Sequence, residues 1–269
     1  MYLPPHNGSI GVFDSGIGGL SVANAISGLL PRESLLYVAD TANAPYGART
    51  DGEVLDFSRR ITDRLLSSGV KMVVVACNTA TSMAIDTLRD LYPDIPFVGL
   101  EPAVKPAATG NRVGVMATAV TLRSPRYRAL RQKYLADRPV WENPCEGLVP
   151  LIEAHGPGSP QIKRYLAELL ATAGPLDTVV LGCTHYPLVA KDIAAVLPEG
   201  ARVIDPSGAA ARQVERLLVK RAMLAPSEDP SPRYDFVSTG GAAPLQRTLY
   251  TLARLNEPRR WVLPNFSLG

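Results

Sequence analysis

Short apolar segments rich in β-branched residues alternate along this chain with longer segments whose apolar residues recur at helical spacing. This alternation is typical of a parallel sheet with helices on both faces, because each connection between parallel strands has to cross back over the sheet. The predicted strands lie near residues 9–13, 34–39, 72–76, 97–99, 112–117, 138–142, 177–182, 201–204 and 234–238. The predicted helices lie near residues 19–30, 51–68, 79–91, 121–135, 159–173, 187–197, 207–222 and 243–254. The sequence therefore predicts the α/β class.

The order of these segments repeats within the chain. Residues 10–15 resemble residues 113–118, and in each half two further strands follow, of which the last ends in a cysteine. A chance likeness is the alternative, since any α/β chain repeats itself loosely. A duplication predicts two similar doubly wound parallel-sheet domains that are related by a pseudo-twofold axis and face a central cleft. The first domain is expected to be discontinuous, at 1–99 and 208–269, and the second is expected to span 100–207.

Composition excludes several classes of protein. The net charge of +3 is small, and the most basic segment, residues 123–131, is better interpreted as a helix with a solvated face than as a nucleic-acid surface. No apolar segment approaches the ~20 residues that span a bilayer, and residues 1–8 lack the features of a signal peptide. Three cysteines without disulfide-scaffold spacing favour a reducing cytoplasm with free thiols. The positions of His6, His155 and His185 give no metal-binding pattern.

Two of the cysteines occupy equivalent positions. Cys77 follows a β-branched run that ends in Ala76, and Cys183 follows a similar run that ends in Gly182. In both places a polar turn that favours the start of a helix comes next. Because groups after the carboxyl ends of parallel strands line the ligand crevice of an open α/β sheet, both thiols are expected at the mouth of a crevice. Two thiols facing one substrate would suit a reaction that removes a proton from one side and returns one to the other.

A thiol is a weak base until it is ionised, and its ordinary pKa lies at about 8.5. Helix N-termini and nearby cations stabilise the thiolate, and a strand gives way to a predicted helix at both positions. The alternative is that small, soft cysteines fill strand ends as part of the core. The matched contexts of Cys77 and Cys183 favour a functional role for both. Cys145 lacks this context and is predicted to be a packing residue.

Acidic and imidazole groups near these thiols are candidates for acid–base chemistry. His185 lies two residues after Cys183, within reach of the thiol or of a ligand, although a core or surface histidine is the default interpretation. Asp14 ends the first strand, where a helix cap is the alternative. Asp40 and Glu153 occupy comparable places in the two halves, where solvated surface charge is the alternative.

The glycine-rich turn after Asp14 is not a complete dinucleotide-binding motif, because position 21 is serine. Backbone amides at such a helix start are still suited to a carboxylate. Hydroxyl and amide side chains form a polar set around the expected crevice, suited to carboxylates and an ammonium group without an arginine. They are Ser15, Asn78, Thr79, Thr118, Thr121 and Thr184.

Four segments taken together resemble bacterial glutamate racemases of the aspartate/glutamate racemase superfamily. They are residues 14–20 (DSGIGGL), 40–47 (DTANAPYG), 76–80 (ACNTA) and 182–188 (GCTHYPL). The resemblance runs in order from about residue 9 to 215. It implies interconversion of L- and D-glutamate by a proton transfer that uses neither cofactor nor metal, in a cytoplasmic enzyme that supplies D-glutamate for peptidoglycan synthesis. It also implies a homodimer, with no membrane partner and no direct nucleic-acid partner.

The resemblance also implies roles for individual residues. In the family, the thiol matching Cys77 removes the α-proton of D-glutamate, the thiol matching Cys183 removes that of L-glutamate, and the partner thiol protonates the opposite face. The implied acid–base helpers are Asp14, Asp40, Glu153 and His185. The implied substrate contacts are Asp14, Ser15, Tyr46, Gly47, Asn78, Thr79, Thr184 and His185, to which Thr118 and Thr121 are added.

Three rival interpretations stay open. A racemase for aspartate or a hydantoin would share the scaffold, but the aspartate relatives typically carry glutamate at the position of His185. A regulatory protein of the same fold, such as one that restrains a topoisomerase, would not need both thiols intact. A thiol redox protein would need a disulfide between Cys77 and Cys183.

Overall fold

The computed structural model describes residues 8–136, 138–226, 232–241 and 243–251. Over these residues the chain divides into two compact units: the first contains the part up to Leu100 and the part from Ser207 onward, and the second contains Glu101–Pro206. The end of the predicted helix 243–254 lies outside the described residues, as do the first seven and the last eighteen residues that were assigned to the first predicted domain.

The described residues form strands and helices in alternation. The strands are β1 (Ile10–Asp14), β2 (Leu35–Ala39), β3 (Met72–Val75), β4 (Phe97–Gly99), β5 (Val113–Ala117), β6 (Val140–Asn143), β7 (Thr178–Gly182), β8 (Arg202–Ile204) and β9 (Tyr234–Ser238). The helices are α1 (Leu20–Leu29), α2 (Asp51–Ser67), α3 (Asn78–Leu91), α4 (Val104–Ala107), α5 (Ala119–Arg123), α6 (Pro125–Leu135), α7 (Leu148–His155), α8 (Pro160–Ala171), α9 (Ala190–Val196), α10 (Ser207–Lys220) and α11 (Ala243–Thr251). Two single 3₁₀ turns are Tyr46–Ala48 and Tyr186–Val189.

In the described part of the first unit, one parallel sheet has the strand order β4-β3-β1-β2-β9. On one face, Phe13 and Val75 pack with Ile61 of α2 and Ala84 of α3. Helices α1 and α10 pack against each other outside that cluster, on the other face. Because both faces are covered, β1 and β3 are buried along their whole length, and both are apolar without alternation apart from Asp14 at the end of β1.

The second unit has a parallel sheet in the order β6-β5-β7-β8. Met116 and Leu181 pack on one face with α7 and α8, through residues such as Ile152. Val115 and Val180 pack on the other face with α4 and α6. The predicted α/β class, with two doubly wound parallel-sheet units, is confirmed.

Two predicted helices differ in their local form. The segment 121–135 is two helices, α5 and α6, because Pro125 begins α6 and Ser124 caps it by accepting a hydrogen bond from the Tyr127 amide at 3.1 Å. The segment 187–197 begins with a 3₁₀ turn before α9. The helices α4 and α7 were not predicted; α7 tolerates Pro150 because the proline lies in its first turn.

Within the described residues, no helix is long and apolar enough to cross a membrane.

Candidate active site

In the first unit, Cys77 lies between β3 and α3 as the N-cap of the helix. Its Sγ accepts a hydrogen bond from the Ala80 amide at 3.4 Å, and the residue is only 5% exposed. An N-cap satisfies one of the backbone N–H groups that a helix leaves free at its start. Because the helix N-terminus also carries partial positive charge, this position stabilises negative charge on the sulfur.

Asp14 and Ser15 follow the neighbouring strand β1 and approach Cys77. The Cys77 thiol is 3.8 Å from Ser15 Oγ, and Asp14 Oδ1 accepts a hydrogen bond from the Gly16 amide at 2.8 Å. Neither residue caps α1, whose N-cap is Gly19 without a side-chain hydrogen bond. A Cβ at Gly19 would lie 2.7 Å from the Asp14 Cβ, so glycine permits the helix to start this close to the strand. The buried Asp14 is therefore held at the strand end rather than used as a cap.

Asp40 lies at the end of β2, next to the end of β1. Its carboxylate accepts hydrogen bonds from the Tyr46 hydroxyl at 2.6 Å, from Asn43 Nδ2 at 3.0 and 3.1 Å, and from Thr239 Oγ1 at 2.7 Å. Burial raises the pKa of Tyr46 far above its ordinary value, and the adjacent Asp40 charge and hydrogen bond raise it further. Tyr46 is therefore a neutral hydroxyl whose proton points at Asp40.

Asn78 and Thr79 begin α3 directly after Cys77, and both are buried. Asn78 Nδ2 donates to the Leu100 carbonyl at 3.1 Å, which fixes the orientation of the amide. Among the described residues, none donates a hydrogen bond to the buried Asn78 Oδ1. Buried acceptors are normally satisfied, so this oxygen beside a candidate active-site thiol is available to a donor group of a ligand.

In the second unit, Cys183 directly follows β7 and lies near an imidazole. Its Sγ is 4.0 Å from His185 Nδ1, and His185 Nε2 is 2.8 Å from Glu153 Oε1 of α7. The imidazole is buried, whereas the Glu153 side chain is 30% exposed. Since a carboxylate only accepts, Nε2 carries the proton in this pair, and in the neutral ring Nδ1 is the unprotonated nitrogen that faces the thiol.

Close packing holds the end of β7 in place. A Cβ at Gly182 would lie 2.5 Å from the Ala117 Cβ of the adjacent strand β5, so a larger residue would displace Cys183. The Tyr186 amide donates to the Cys183 carbonyl at 3.1 Å and closes the turn that contains Thr184 and His185. The chain after β7 is therefore a tight turn, in contrast to the helix that follows Cys77.

Cys145 lies in the same core cluster as Cys183 and hydrogen-bonds Tyr186. Burial raises the pKa of its thiol to about 12, while the Tyr186 contact lowers it and the Cys183 charge raises it. Burial likewise raises the pKa of Tyr186 well above its ordinary value. A buried thiol that stays protonated is consistent with the packing role predicted for Cys145.

The remaining threonines lie near the carboxyl ends of the central strands of the second unit. Thr118 caps α5 by accepting from the Thr121 amide at 3.3 Å, and the two hydroxyls are 3.0 Å apart. Thr121 and Thr184 are buried. The predicted site residues divide between the two units: Asp14, Ser15, Asp40, Tyr46, Gly47, Cys77, Asn78 and Thr79 lie in the first, and Thr118, Thr121, Glu153, Cys183, Thr184 and His185 lie in the second.

Two contact residues at Asp40 were not predicted from the sequence. Asn43 lies in the turn that follows Asp40, and Thr239 follows β9, the strand next to β2. The rule that located the cysteines, polar residues after the carboxyl end of a parallel strand, also applies to Thr239. Among the described residues, no group of three or more His, Cys, Asp or Glu side chains could hold a metal ion.

Comparison with known proteins identifies the class to which this fold and these thiols belong. Residues 20–214 match the model of the Asp/Glu/hydantoin racemase family. The chain is 48% identical over 231 residues to the glutamate racemase of Pseudomonas aeruginosa, which covers 84% of this chain and 87% of that protein. The chain belongs to the Asp/Glu/hydantoin racemase family. It is an amino-acid racemase, an isomerase.

Two solved relatives support the same assignment. Glutamate racemase from Francisella tularensis, in complex with D-glutamate, is 29% identical with a TM-score of 0.80, covering 98% of this chain and 99% of that one. Glutamate racemase from Escherichia coli, in complex with L-glutamate and the activator UDP-MurNAc-Ala, is 33% identical with a TM-score of 0.79, covering 91% and 95%. The resemblance predicted from the four sequence segments is confirmed.

Proposed function

We propose that this racemase acts on glutamate and interconverts its L and D enantiomers by proton transfer through Cys77 and Cys183, without a cofactor. The observation that carries the proposal is that each unit has a buried thiol directly after an inner strand of its sheet. A helix-start amide that stabilises a thiolate lies beside Cys77, and an imidazole that can exchange a proton with the thiol lies beside Cys183. Support for the substrate comes from the relatives, since the P. aeruginosa protein is a glutamate racemase and the two solved relatives hold D- and L-glutamate.

In the proposed reaction, the Cys77 thiolate takes the α-proton of D-glutamate. The electron pair of the broken C–H bond stays on the α-carbon as a carbanion that is delocalised into the carboxylate. The Cys183 thiol then gives its proton to the opposite face of that carbon, which yields L-glutamate. Cys77 ends as a thiol and Cys183 as a thiolate, so the reverse reaction starts from the state in which the forward one ends. No proton or electron is gained or lost overall.

The α-proton of an amino acid is weakly acidic, so each thiolate needs a polarised, water-poor surrounding. For Cys77, we propose that the α3 N-terminus, Ser15 and Asp14 supply it. For Cys183, His185 takes part in moving the thiol proton, and Glu153 keeps the ring oriented and stabilises the imidazolium when it forms.

Asn78 is the best-supported substrate contact. Its buried Oδ1 accepts hydrogen bonds only, and the substrate ammonium group is the donor that an amino acid offers. Thr79, Thr184, Ser15 and the Tyr46–Gly47 turn are proposed to bind the carboxylates through hydroxyls and amides, as are Thr118 and Thr121.

The biological context is also a proposal. We infer that the two compact units are the domains of the internal repeat, that the enzyme works as a homodimer in the cytoplasm, and that its D-glutamate supplies peptidoglycan synthesis. The three cysteines, all free in the structure, are consistent with a reducing compartment.

The direct test is to incubate the purified chain with L-glutamate in deuterated water without added cofactor. Inversion measured by circular dichroism should accompany incorporation of deuterium at Cα measured by NMR. Aspartate is the control substrate, and its turnover should be at least about a hundredfold slower. Inversion without deuterium incorporation, faster turnover of aspartate, or activity lost on removal of pyridoxal phosphate would each contradict the proposal.

A further inference from the structure

The segment after β9 is bound closely to the turn after β2. Thr41 Oγ1 lies 2.6 Å from Ser238 Oγ and accepts from the Gly240 amide at 2.9 Å. The Thr239 hydroxyl accepts from the Ala42 amide at 3.1 Å and is 2.7 Å from Asp40 Oδ1. A Cβ at Gly240 would lie 2.8 Å from Thr41 Oγ1, so glycine permits this approach. The two segments, almost 200 residues apart in sequence, form one hydrogen-bonded unit.

The Asp40 carboxylate accepts hydrogen bonds from both of these segments. Oδ1 accepts from Asn43 at 3.1 Å and from Thr239 at 2.7 Å, and Oδ2 accepts from Asn43 at 3.0 Å and from Tyr46 at 2.6 Å. Three donor groups thus surround the carboxylate, and one of them, Asn43 Nδ2, is shared between both oxygens. A carboxylate that accepts from several fixed donors in this way holds those donors in place. These contacts favour a positioning role for Asp40 over the acid–base role expected from the resemblance.

The principal donor that Asp40 orients is Tyr46. Its ring is almost fully buried and packs on Phe57 with the ring centroids 5.8 Å apart. Its hydroxyl has one proton, which goes to Asp40, and Tyr46 lies in the same buried core cluster as Cys77. Thr239 is therefore connected to the surroundings of Cys77 through two side chains, Asp40 and Tyr46.

We propose that Thr239 is a positioning residue of the racemase: its hydroxyl fixes the Asp40 carboxylate, which in turn holds Tyr46 and the Tyr46–Ala48 turn where the substrate binds. This inference rests on the proposed function, in which Tyr46 and Gly47 contact the substrate. The segment that follows β9 is thereby part of the machinery of the first unit, although it lies far from the motif 40–47 in sequence.

The test uses three variants of the full chain. Thr239→Val keeps the branched shape and removes the hydroxyl, so the KM for glutamate should rise about three- to tenfold while kcat changes about twofold or less. Thr239→Ser restores a hydroxyl and should return KM to within about twofold of the starting protein. Ser238→Ala is the matched control. It removes a neighbouring hydroxyl that hydrogen-bonds Thr41 rather than Asp40. Equal KM values for Thr239→Val and Ser238→Ala would overturn the proposal.

A second measurement does not depend on the substrate. Hydrogen exchange of the Asn43, Ala48 and Arg49 amides, which close the turns around Tyr46, should be faster in Thr239→Val than in Ser238→Ala. If the starting protein does not racemise glutamate, the proposed function fails while this exchange result still decides the inference. Unchanged exchange at these amides would refute the link from Thr239 to Tyr46. If Thr239→Val does not fold, Thr239→Ala is measured in its place.

Discussion

The two thiols of this chain lie at equivalent places in two parallel sheets but in different local surroundings. Cys77 is the N-cap of a fourteen-residue helix, where a backbone amide and a serine hydroxyl approach the sulfur. Cys183 precedes a tight turn, where an imidazole backed by a carboxylate approaches it. Similar strand ends thus place different groups beside their thiols: fixed dipoles beside Cys77 and titratable groups beside Cys183.

This difference matters because the proposed reaction needs each thiol in both protonation states. A helix N-terminus favours the anion at any pH at which the helix is folded. An imidazole can also hand a proton to the sulfur or take one from it. We therefore expect changes in these neighbours to affect the two proton-exchange half-reactions differently. The overall kcat/KM for racemisation must still fall equally in both directions, because the two enantiomers of an amino acid have equal free energies.

The largest expected effect comes from replacing each thiol with a much weaker acid. Cys77→Ser and Cys183→Ser should each lower racemisation about a thousandfold or more, because a hydroxyl is not ionised at neutral pH. Exchange of the α-proton with solvent, without inversion, should distinguish the two variants. Cys183→Ser should still exchange the α-proton of D-glutamate through Cys77, and Cys77→Ser should still exchange that of L-glutamate, as NMR in deuterated water would measure.

The control for this pair is Cys145→Ser, which changes a thiol of the same second unit that is outside the proposed mechanism. It should retain racemisation to within about threefold. Racemisation that survives in either catalytic variant, or identical exchange of both enantiomers in both variants, would remove the basis for treating the two thiols as partners.

A smaller effect is expected from the neighbours of the thiols. His185→Gln should lower kcat/KM about a hundredfold, and Glu153→Gln about tenfold, since Glu153 acts through the imidazole. Both should slow the α-proton exchange of L-glutamate more than that of D-glutamate, because His185 approaches Cys183. NMR exchange rates for the two enantiomers give the ratio directly.

Ser15→Ala is the matched change beside Cys77. Its effect should be about tenfold or less, and it should slow exchange of D-glutamate more than that of L-glutamate, because Ser15 approaches Cys77. If all three variants changed the two exchange rates in the same ratio, the different surroundings of the two thiols would have no kinetic meaning.

Much of the architecture could be predicted from the sequence because the sheets are buried on both faces. Strands such as β3 and β7 are continuous apolar runs, and an apolar run bounded by a polar turn is easy to recognise. The same feature located Cys77 and Cys183, since each comes where such a run ends. Helix α7 was missed because Pro150 and the preceding turn obscure its helical spacing.

The contacts between distant segments could not be predicted in the same way. Glu153 and His185 were both singled out, but nothing in the sequence showed that a carboxylate 32 residues away would bind the imidazole. Thr239 and Asp40 are 199 residues apart, and they meet because β9 adds to the edge of β2. Local patterns report which residues end a strand, whereas strand order decides which of those ends are neighbours.

The smallest expected effect concerns Cys145, which shares a core cluster with Cys183. Burial raises the pKa of Cys145 to about 12 in the folded chain, whereas an exposed thiol ionises at about 8.5. A raised folded-state pKa contributes stability that is complete below the unfolded pKa and is lost as the pH rises toward the folded pKa. Between about pH 8.5 and 9.5 the contribution of Cys145 to the free energy of unfolding should therefore fall by about 1 kcal/mol.

Urea unfolding of the starting protein and of Cys145→Ala across this range measures how steeply the free energy of unfolding of each falls with pH. The slope should be shallower in the variant, whatever its absolute stability, because alanine has no proton to lose. Parallel slopes would mean that Cys145 ionises as readily in the folded chain as in the unfolded one, and it would then resemble the proposed catalytic thiols more than a packing residue.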